Sequence, residues 1–168
     1  MKDKRKQLIG AALLMLILLL IDQWTKLLAV DCLKGQNSFP LIRGVLEFQY
    51  LENHGAAFGI LQGQKLFLVL FTAILSALIL YFYFRIPAGS RYRPLRILMI
   101  MLLSGAIGNF IDRMVNGYVV DFFYFKLINF PVFNVADIYV TAAEILLIVL
   151  VLFYYQSEDF EEIFHGKK

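Results

Sequence analysis

The chain has 168 residues, of which 60% are hydrophobic, and its mean hydropathy is +0.70, whereas soluble domains are nearer half apolar. Its net charge of +3 is too small to indicate nucleic-acid binding. A single cysteine, Cys32, excludes an internal disulfide and a thiolate metal site. His54 and His165 lie far apart in the sequence, so a two-histidine metal motif is absent. We therefore expect one membrane domain, residues 1–168, that needs no metal or other cofactor.

Four apolar segments predict transmembrane helices, because about 20 apolar residues are needed to span a bilayer. They cover residues 7–30, 66–84, 95–115 and 134–155. The first follows basic residues, as in a signal peptide, but it lacks the small-residue cleavage pattern, and we predict that it is retained. The predicted fold class is an all-α membrane protein, a four-transmembrane-helix bundle with a small β-sheet in the first interhelical loop.

Basic residues predict the orientation of this bundle, because Lys and Arg are enriched in cytoplasmic loops. Residues 1–6 contain four of them and residues 85–96 contain four more, whereas the loops 31–64 and 116–133 contain two and one. We therefore predict that both termini are cytoplasmic and that these two loops are extracytoplasmic. Residues 45–51 partly alternate between apolar and polar, which predicts a strand of the small sheet on the membrane surface.

Ionisable residues inside the predicted spans are costly, at about 2.5–3.5 kcal/mol each at a helix centre, and usually persist for a function. Here they occur in sets at helical spacing, which are Asp22 with Lys26, Asn109 with Asp112 and Arg113, and Asn134 with Asp137. A further carboxylate, Asp121, lies between Val and Phe residues in the second loop. In the predicted orientation all these groups lie near the outer surface, which is typical of a site built between helices.

Structural roles are open for most of these groups. Asp22 and Lys26 would form an ion pair that lets the first span insert. Asp112 and the arginine that follows it would pair at the interface. Asn134 would cap the fourth helix, and Asp137 would favour the positive end of its dipole.

A catalytic role is also open, because two aspartates that meet in a poorly hydrated place cannot both ionise easily and share a proton. Such a pair can deprotonate a water for attack on a peptide carbonyl and reprotonate the departing amine. The sequence favours Asp121 and Asp137 as this pair, and Asp22 and Asp112 remain alternatives. These residues predict an aspartic peptidase near the outer face of the membrane.

Five sequence blocks resemble those of the lipoprotein signal peptidases (signal peptidase II), in the order and spacing of that family and across nearly the whole chain. They are Asp22-Gln23-Trp24-Thr25-Lys26, Asn53-His54-Gly55-Ala56-Ala57-Phe58, Gly108-Asn109-Phe110-Ile111-Asp112-Arg113, Val119-Val120-Asp121-Phe122 and Phe133-Asn134-Val135-Ala136-Asp137. Two positions depart from the family. Ile138 stands where the family commonly has Ser, and Glu144 is an intramembrane carboxylate outside the pattern, which we expect to pair with a polar group on another span.

The resemblance implies roles for the residues of these blocks. Asp121 and Asp137 would be the catalytic dyad. Residues that hold the substrate backbone and the dyad, or support them, would be Asn53, Asn109, Arg113, Asn134, Asp22, Lys26 and Asp112. The substrate would be a bacterial prolipoprotein whose lipobox cysteine carries diacylglycerol, and cleavage would fall just before that cysteine.

The resemblance also implies a location in the bacterial cytoplasmic membrane, contact with membrane lipids, and inhibition by globomycin-type cyclic peptides. We expect a monomer with no nucleic-acid partner. The alternative function is a small proton-coupled transporter, since buried carboxylates also relay protons. That function predicts polar groups along the whole crossing, and the segment 66–84 contains no charged residue. A non-catalytic membrane scaffold would have no use for the outer polar residues.

Overall fold

The computed structural model describes residues 2–56 and 60–165, without the side chains of residues 2–4. Its helices and strands are α1 (Lys2–Leu33), β1 (Phe39–Ile42), β2 (Leu46–Asn53), α2 (Lys65–Arg85), α3 (Arg93–Val115), β3 (Val119–Phe125), α4 (Val135–Phe153) and α5 (Ser157–His165). The sequence block that begins at Asn53 continues through Ala57 and Phe58, which lie outside the described residues.

The four helices α1 to α4 are each long and apolar enough to cross a membrane, which confirms the predicted fold class. Their bounds differ from the predicted ones by a few residues, most at the start of α1, which begins at Lys2. Large apolar side chains such as Leu20, Phe71 and Leu152 are exposed on their surfaces. A soluble monomer rarely exposes so much contiguous apolar surface, whereas lipid tails solvate it well.

The helix α3 lies at the centre of the bundle and packs against α1, α2 and α4. Glycines make this close approach possible. A Cβ atom on Gly105 would lie 2.6 Å from the carbonyl oxygen of Ala136 in α4, and one on Gly108 would overlap the carboxylate of Asp22 in α1. Small residues are how membrane helices approach one another, because lipid supplies no hydrophobic drive for association. They bring α1, α3 and α4 together at the level of Asp22.

The three strands form one antiparallel sheet in the order β1, β2, β3. The predicted strand over residues 45–51 is confirmed as β2, and the turn that leads into it contains Gly44 at a φ of +75°. The third strand, β3, comes from the second loop and was not predicted, so Asp121 lies on a strand opposite Leu51. Most residues of β3 are buried, and a strand buried on both faces shows no polar alternation for the sequence to reveal.

The short helix α5 packs at the opposite end of the bundle from the sheet, against the link between α2 and α3. The guanidinium group of Arg91 lies 2.6 Å from the carboxylate of Asp159, and its hydrogen bond lowers the pKa of Asp159 below its usual range. Tyr92 also donates to Glu162 at 2.7 Å, and Ile163 is buried beneath α5. This element was not predicted from the acidic C-terminal sequence.

Candidate active site

A cavity of about 1070 Å³ opens where the sheet meets the ends of α3 and α4. Asp121 from β3, Asp137 from α4, and Asn109 and Arg113 from α3 all line it. The wall on the side of the sheet, called the upper wall, consists of β2 residues and the loop 129–133. The wall that extends along the helix bundle, called the lower wall, is formed by one face of α4. The four residues Asp121, Asp137, Asn109 and Arg113, predicted from separate segments of the sequence, therefore meet around one cavity.

The carboxylate of Asp121 is 1% exposed and is held by two amide groups. Asn53 donates to its Oδ2 atom at 2.9 Å, and Asn134 donates to its Oδ1 atom at 2.6 Å. Both donors are neutral, and no cation forms an ion pair with Asp121 among the described residues. This carboxylate is therefore fixed in direction without being neutralised by a partner charge.

Asp137 begins α4 and takes part in a reciprocal cap with Asn134. The side-chain oxygen of Asn134 accepts from the backbone N–H of Asp137 at 3.0 Å, and the Oδ2 atom of Asp137 accepts from the backbone N–H of Asn134 at 3.0 Å. Such a capping box satisfies backbone donors that the first helical turn leaves free. Asn109 donates to the other carboxylate oxygen of Asp137 at 2.8 Å. The predicted cap by Asn134 is thus present, and the same amide also holds Asp121.

The two aspartates affect each other electrostatically. Burial, followed by the negative charge of Asp137, raises the pKa of Asp121 to about 7, while the hydrogen bonds from Asn53 and Asn134 act in the opposite direction. Burial disfavours the charged form because the surroundings solvate it poorly, and a nearby like charge adds to that cost. Near neutral pH Asp121 can therefore exchange a proton.

A second cluster of buried charges lies directly beneath, between α1 and α3. The ammonium group of Lys26 lies 3.0 Å from the Oδ2 atom of Asp22 and 3.1 Å from the Oδ2 atom of Asp112. The side chains of all three residues are at most 4% exposed. The other oxygen of Asp22, Oδ1, accepts a hydrogen bond from the backbone N–H of Ala136 at 3.0 Å. The Oδ1 atom of Asp112 accepts one from the side-chain amide of Gln23 at 3.1 Å.

Lys26 connects this cluster to the site above it. It donates to the side-chain oxygen of Asn109 at 2.9 Å, which fixes the amide so that its nitrogen faces Asp137. Asp112 accepts from the backbone N–H of Val120 at 3.1 Å, next to Asp121 in β3. The ion pair of Asp22 and Lys26, one of the roles left open by the sequence, is present and helps to position the groups around the cavity.

The pairing considered for Asp112 and Arg113 is wrong, because Asp112 contacts Lys26 instead. Adjacent helical residues point in different directions, so these two side chains do not face each other. The guanidinium group of Arg113 donates to the carbonyl oxygen of Gly55 at 2.9 Å. Its buried Nε atom has no hydrogen-bond partner among the described residues. An unsatisfied buried donor is costly, and it belongs to a residue that lines the cavity.

Glu144 also differs from expectation. It lines the lower part of the cavity and is exposed, and the described residues provide it with no hydrogen bond or ion pair. The expected polar partner on another span is therefore not found among the residues that the structure describes. Gln23, by contrast, was not singled out as a site residue, although it follows Asp22 in a quoted block. It donates to both Asp22 and Asp112 at 3.1 Å.

A metal-binding arrangement is not found in the part of the chain that the structure describes, since no three His, Cys, Asp or Glu side chains there could hold an ion together. The donors that surround Asp121 and Asp137 are amide N–H groups, which repel rather than ligate a cation. The geometry instead presents two carboxyl groups to a cavity large enough for a peptide segment.

Comparison with known proteins agrees with this geometry. Residues 14–153 match the family model described as signal peptidase (SPase) II. The chain is 40% identical over 144 residues to a lipoprotein signal peptidase of Caldanaerobacter subterraneus subsp. tengcongensis, covering 85% of this chain and 96% of that protein. It is 42% identical over 146 residues to a lipoprotein signal peptidase of Streptococcus thermophilus, covering 87% and 93%.

Two solved structures, both described as bacterial membrane enzymes, share the fold. One superposes with a TM-score of 0.74 at 33% identity, covering 87% of this chain and 94% of the other. The second has a TM-score of 0.73 at 29% identity, covering 95% and 92%. The chain therefore belongs to the signal peptidase II family, and it is an integral bacterial membrane protease of lipoprotein processing.

Proposed function

We propose that this protein is an aspartic endopeptidase that removes the signal peptide from diacylglyceryl-modified bacterial prolipoproteins, cleaving just before the lipidated cysteine. One observation carries the proposal. Asp121 and Asp137 both line the cavity and are joined through one residue, Asn134, which donates to the first and caps the second. The side-chain amide of Asn134 donates to the Asp121 carboxylate and accepts from the backbone N–H of Asp137, while the Asp137 carboxylate accepts from the backbone N–H of Asn134. One neutral residue therefore contacts both aspartates without neutralising either.

In this mechanism the dyad holds one proton. The ionised carboxylate removes a proton from a water whose oxygen attacks the scissile carbonyl carbon, and the protonated carboxyl donates to the carbonyl oxygen. The resulting gem-diol collapses, the C–N bond breaks, and the departing amine of the cysteine takes up a proton from the dyad. The new carboxyl group ends the released signal peptide. The raised pKa of Asp121 supports a shared proton near neutral pH.

The surrounding groups would orient the reactants. Asn53, Asn109 and Asn134 fix the carboxylate oxygens through hydrogen bonds of 2.6–2.9 Å. Preorganised donors of this kind need not reorient during the reaction, which lowers the barrier. Arg113 lines the cavity, and its guanidinium group would donate to a backbone carbonyl of the substrate. Asp22, Lys26 and Asp112 act through Asn109 and Val120, and we regard them as positioning residues.

The distribution of basic residues supports an orientation with both termini cytoplasmic and the dyad near the extracytoplasmic face of the cytoplasmic membrane. A substrate held in the outer leaflet by its acyl chains would present its scissile bond at that depth. We further propose that residues 1–168 form a single domain, which acts as a monomer surrounded by membrane lipids. A globomycin-type inhibitor would compete for the same cavity.

The test is processing of a purified diacylglyceryl-prolipoprotein in detergent by the wild type and by Asp121→Asn and Asp137→Asn. Each variant is expected to lose at least about a thousandfold in kcat/KM, because the pair acts as a unit. Asp31→Asn, which changes an exposed aspartate at the end of α1, is the matched control and should retain activity. Chelator should have no effect. Near-normal turnover by either dyad variant, or an inactive wild type, would refute the proposal.

A further inference from the structure

The cavity continues from the dyad into the membrane-spanning part of α4, where two polar side chains line it. Thr141 and Glu144 are one turn apart and, counting from Asp137, lie on the face that borders the cavity. Glu144 is the tenth of the 19 residues of α4, so it lies at the middle of the span. At about 1.5 Å per residue it is about 10 Å deeper than Asp137.

Both side chains are unpartnered within the described residues. Glu144 has no hydrogen bond or ion pair there, and the hydroxyl group of Thr141 has none either. Thr72 in α2 provides the contrast, because its hydroxyl donates to the carbonyl oxygen of Leu68, one turn earlier, at 2.7 Å. That back-bond is how a threonine in a membrane helix normally satisfies its hydroxyl. Thr141 is therefore free to bond a ligand.

A mid-membrane carboxyl group that faces only lipid tails would gain nothing to offset its cost, which is why such residues usually face a functional cavity. This one borders the cavity in which, according to the proposed function, the substrate is cleaved. A signal peptide has a basic N-terminus that stays cytoplasmic and an apolar segment that precedes the cleavage site. From the dyad toward the cytoplasm, that apolar segment would therefore pass beside Thr141 and Glu144.

We propose that Thr141 and Glu144 form a subsite that selects prolipoproteins with a hydroxyl side chain, Ser or Thr, in the apolar segment of the signal peptide. A hydroxyl both donates and accepts, so it complements the carboxyl and hydroxyl groups of the subsite. A Lys or Arg side chain at this depth is costly to insert into the membrane, and a purely apolar segment would leave Glu144 unpaired. This inference rests on the proposed function and adds a specificity to it.

The depth of the subsite determines which substrate position it reads. About 10 Å corresponds to about seven residues before the scissile bond in a helical segment, and to about three in an extended one. The substrates are therefore a diacylglyceryl-prolipoprotein with an all-Leu apolar segment and a series with a single Ser, placed in turn at each position from three to eight residues before the bond.

The readout is the ratio of kcat/KM for each Ser substrate to that for the all-Leu substrate, measured within one enzyme preparation so that differences in folded fraction cancel. In the wild type the ratio should exceed that of Glu144→Leu by about fivefold at one position, the effect of one hydrogen bond. Glu144→Gln should keep part of the preference, because an amide still bonds a hydroxyl. Leu146→Ala, an exposed position that does not line the cavity, should match the wild type.

Equal ratios in the wild type and in Glu144→Leu at every position would overturn the subsite, and so would a ratio changed as strongly by Leu146→Ala. The proposed function survives either result, provided that the all-Leu substrate is cleaved. If the wild type cleaves no substrate of the series, the proposed function fails and the subsite fails with it.

Discussion

This protein has two neighbouring pairs of aspartates, and the partners of the two pairs are opposite in kind. Asp22 and Asp112 share the ammonium group of Lys26, at 3.0 and 3.1 Å. Asp121 and Asp137 are held by neutral amides and line the cavity. The comparison teaches that burial alone does not select a catalytic carboxylate. A partner cation favours the charged form, whereas amide donors fix the direction of a carboxylate that can still exchange its proton.

The ion-paired cluster links the three helices that surround the site. Burying an ion-paired cluster is costly unless its remaining hydrogen-bonding groups are also satisfied. Here the backbone N–H groups of Ala136 and Val120 satisfy them. These two donors belong to the segments that present Asp137 and Asp121. The cluster therefore sets the separation of the two segments on which the dyad stands.

The largest effect is expected from Lys26→Met, which keeps most of the length of the side chain and removes its charge. Asp22 and Asp112 would then face each other without a cation, and we expect a loss of about 3–5 kcal/mol in the free energy of unfolding. Lys34→Met is the matched control, because Lys34 pairs with Glu52 at a half-exposed position, where little change is expected. Reversible unfolding in mixed micelles measures both, and an equal effect of the two substitutions would contradict the account.

A smaller effect is expected where α3 meets the same cluster. Gly108→Ala would place a methyl group against the carboxylate of Asp22, and overpacking of this kind costs about 1–3 kcal/mol. Gly10→Ala is its control, because a Cβ atom there meets nothing within 4 Å. Thermal unfolding should separate the two variants clearly. A neutral Gly108→Ala would show that the contact between α1 and α3 is looser than described.

The amide-held pair should reveal itself in the pH dependence of activity. Because the pKa of Asp121 is raised to about 7, its proton is present below that pH and lost above it. Since the mechanism requires one shared proton, kcat/KM should fall on the alkaline side with a midpoint at about pH 7. A profile that stays flat to pH 9 would contradict this assignment.

Asn53→Ala sharpens the same measurement. The hydrogen bond from Asn53 stabilises the ionised form of Asp121 and lowers its pKa. Its removal should therefore move the alkaline limb of the profile to a higher pH, even if the maximal rate falls. A limb that moves to a lower pH would show that Asn53 does not act on the dyad through this bond.

Much of the fold followed from the sequence, and the exceptions have physical reasons. Hydropathy is a strong signal for four spans, and helical spacing placed Asp22 with Lys26 on one face. The strand that carries Asp121 was hidden, because β3 is buried on both faces and lacks alternation. The contact between Lys26 and Asp112 joins α1 to α3, and such long-range partners depend on the packing of Gly105 and Gly108, which periodicity does not report.

The site was less completely predictable. The residues alone left four aspartates as candidates, and the family resemblance favoured two of them. What the sequence could not supply were the partners that come from other elements, such as Lys26 for Asp112 and Asn134 for Asp121. Glu144 shows the opposite failure, because the sequence led us to expect a partner on another span and none is found among the described residues.

The most direct test of the contrast is to replace each of the four aspartates by asparagine and to measure activity per folded molecule on one diacylglyceryl-prolipoprotein, together with unfolding stability. Asp121→Asn and Asp137→Asn should remain folded and lose at least about a thousandfold in kcat/KM. Asp22→Asn and Asp112→Asn should lose stability first, with the folded fraction retaining far more activity. The account is contradicted if either dyad variant keeps near-normal turnover, or if the variants at Asp22 and Asp112 are fully stable and equally inactive.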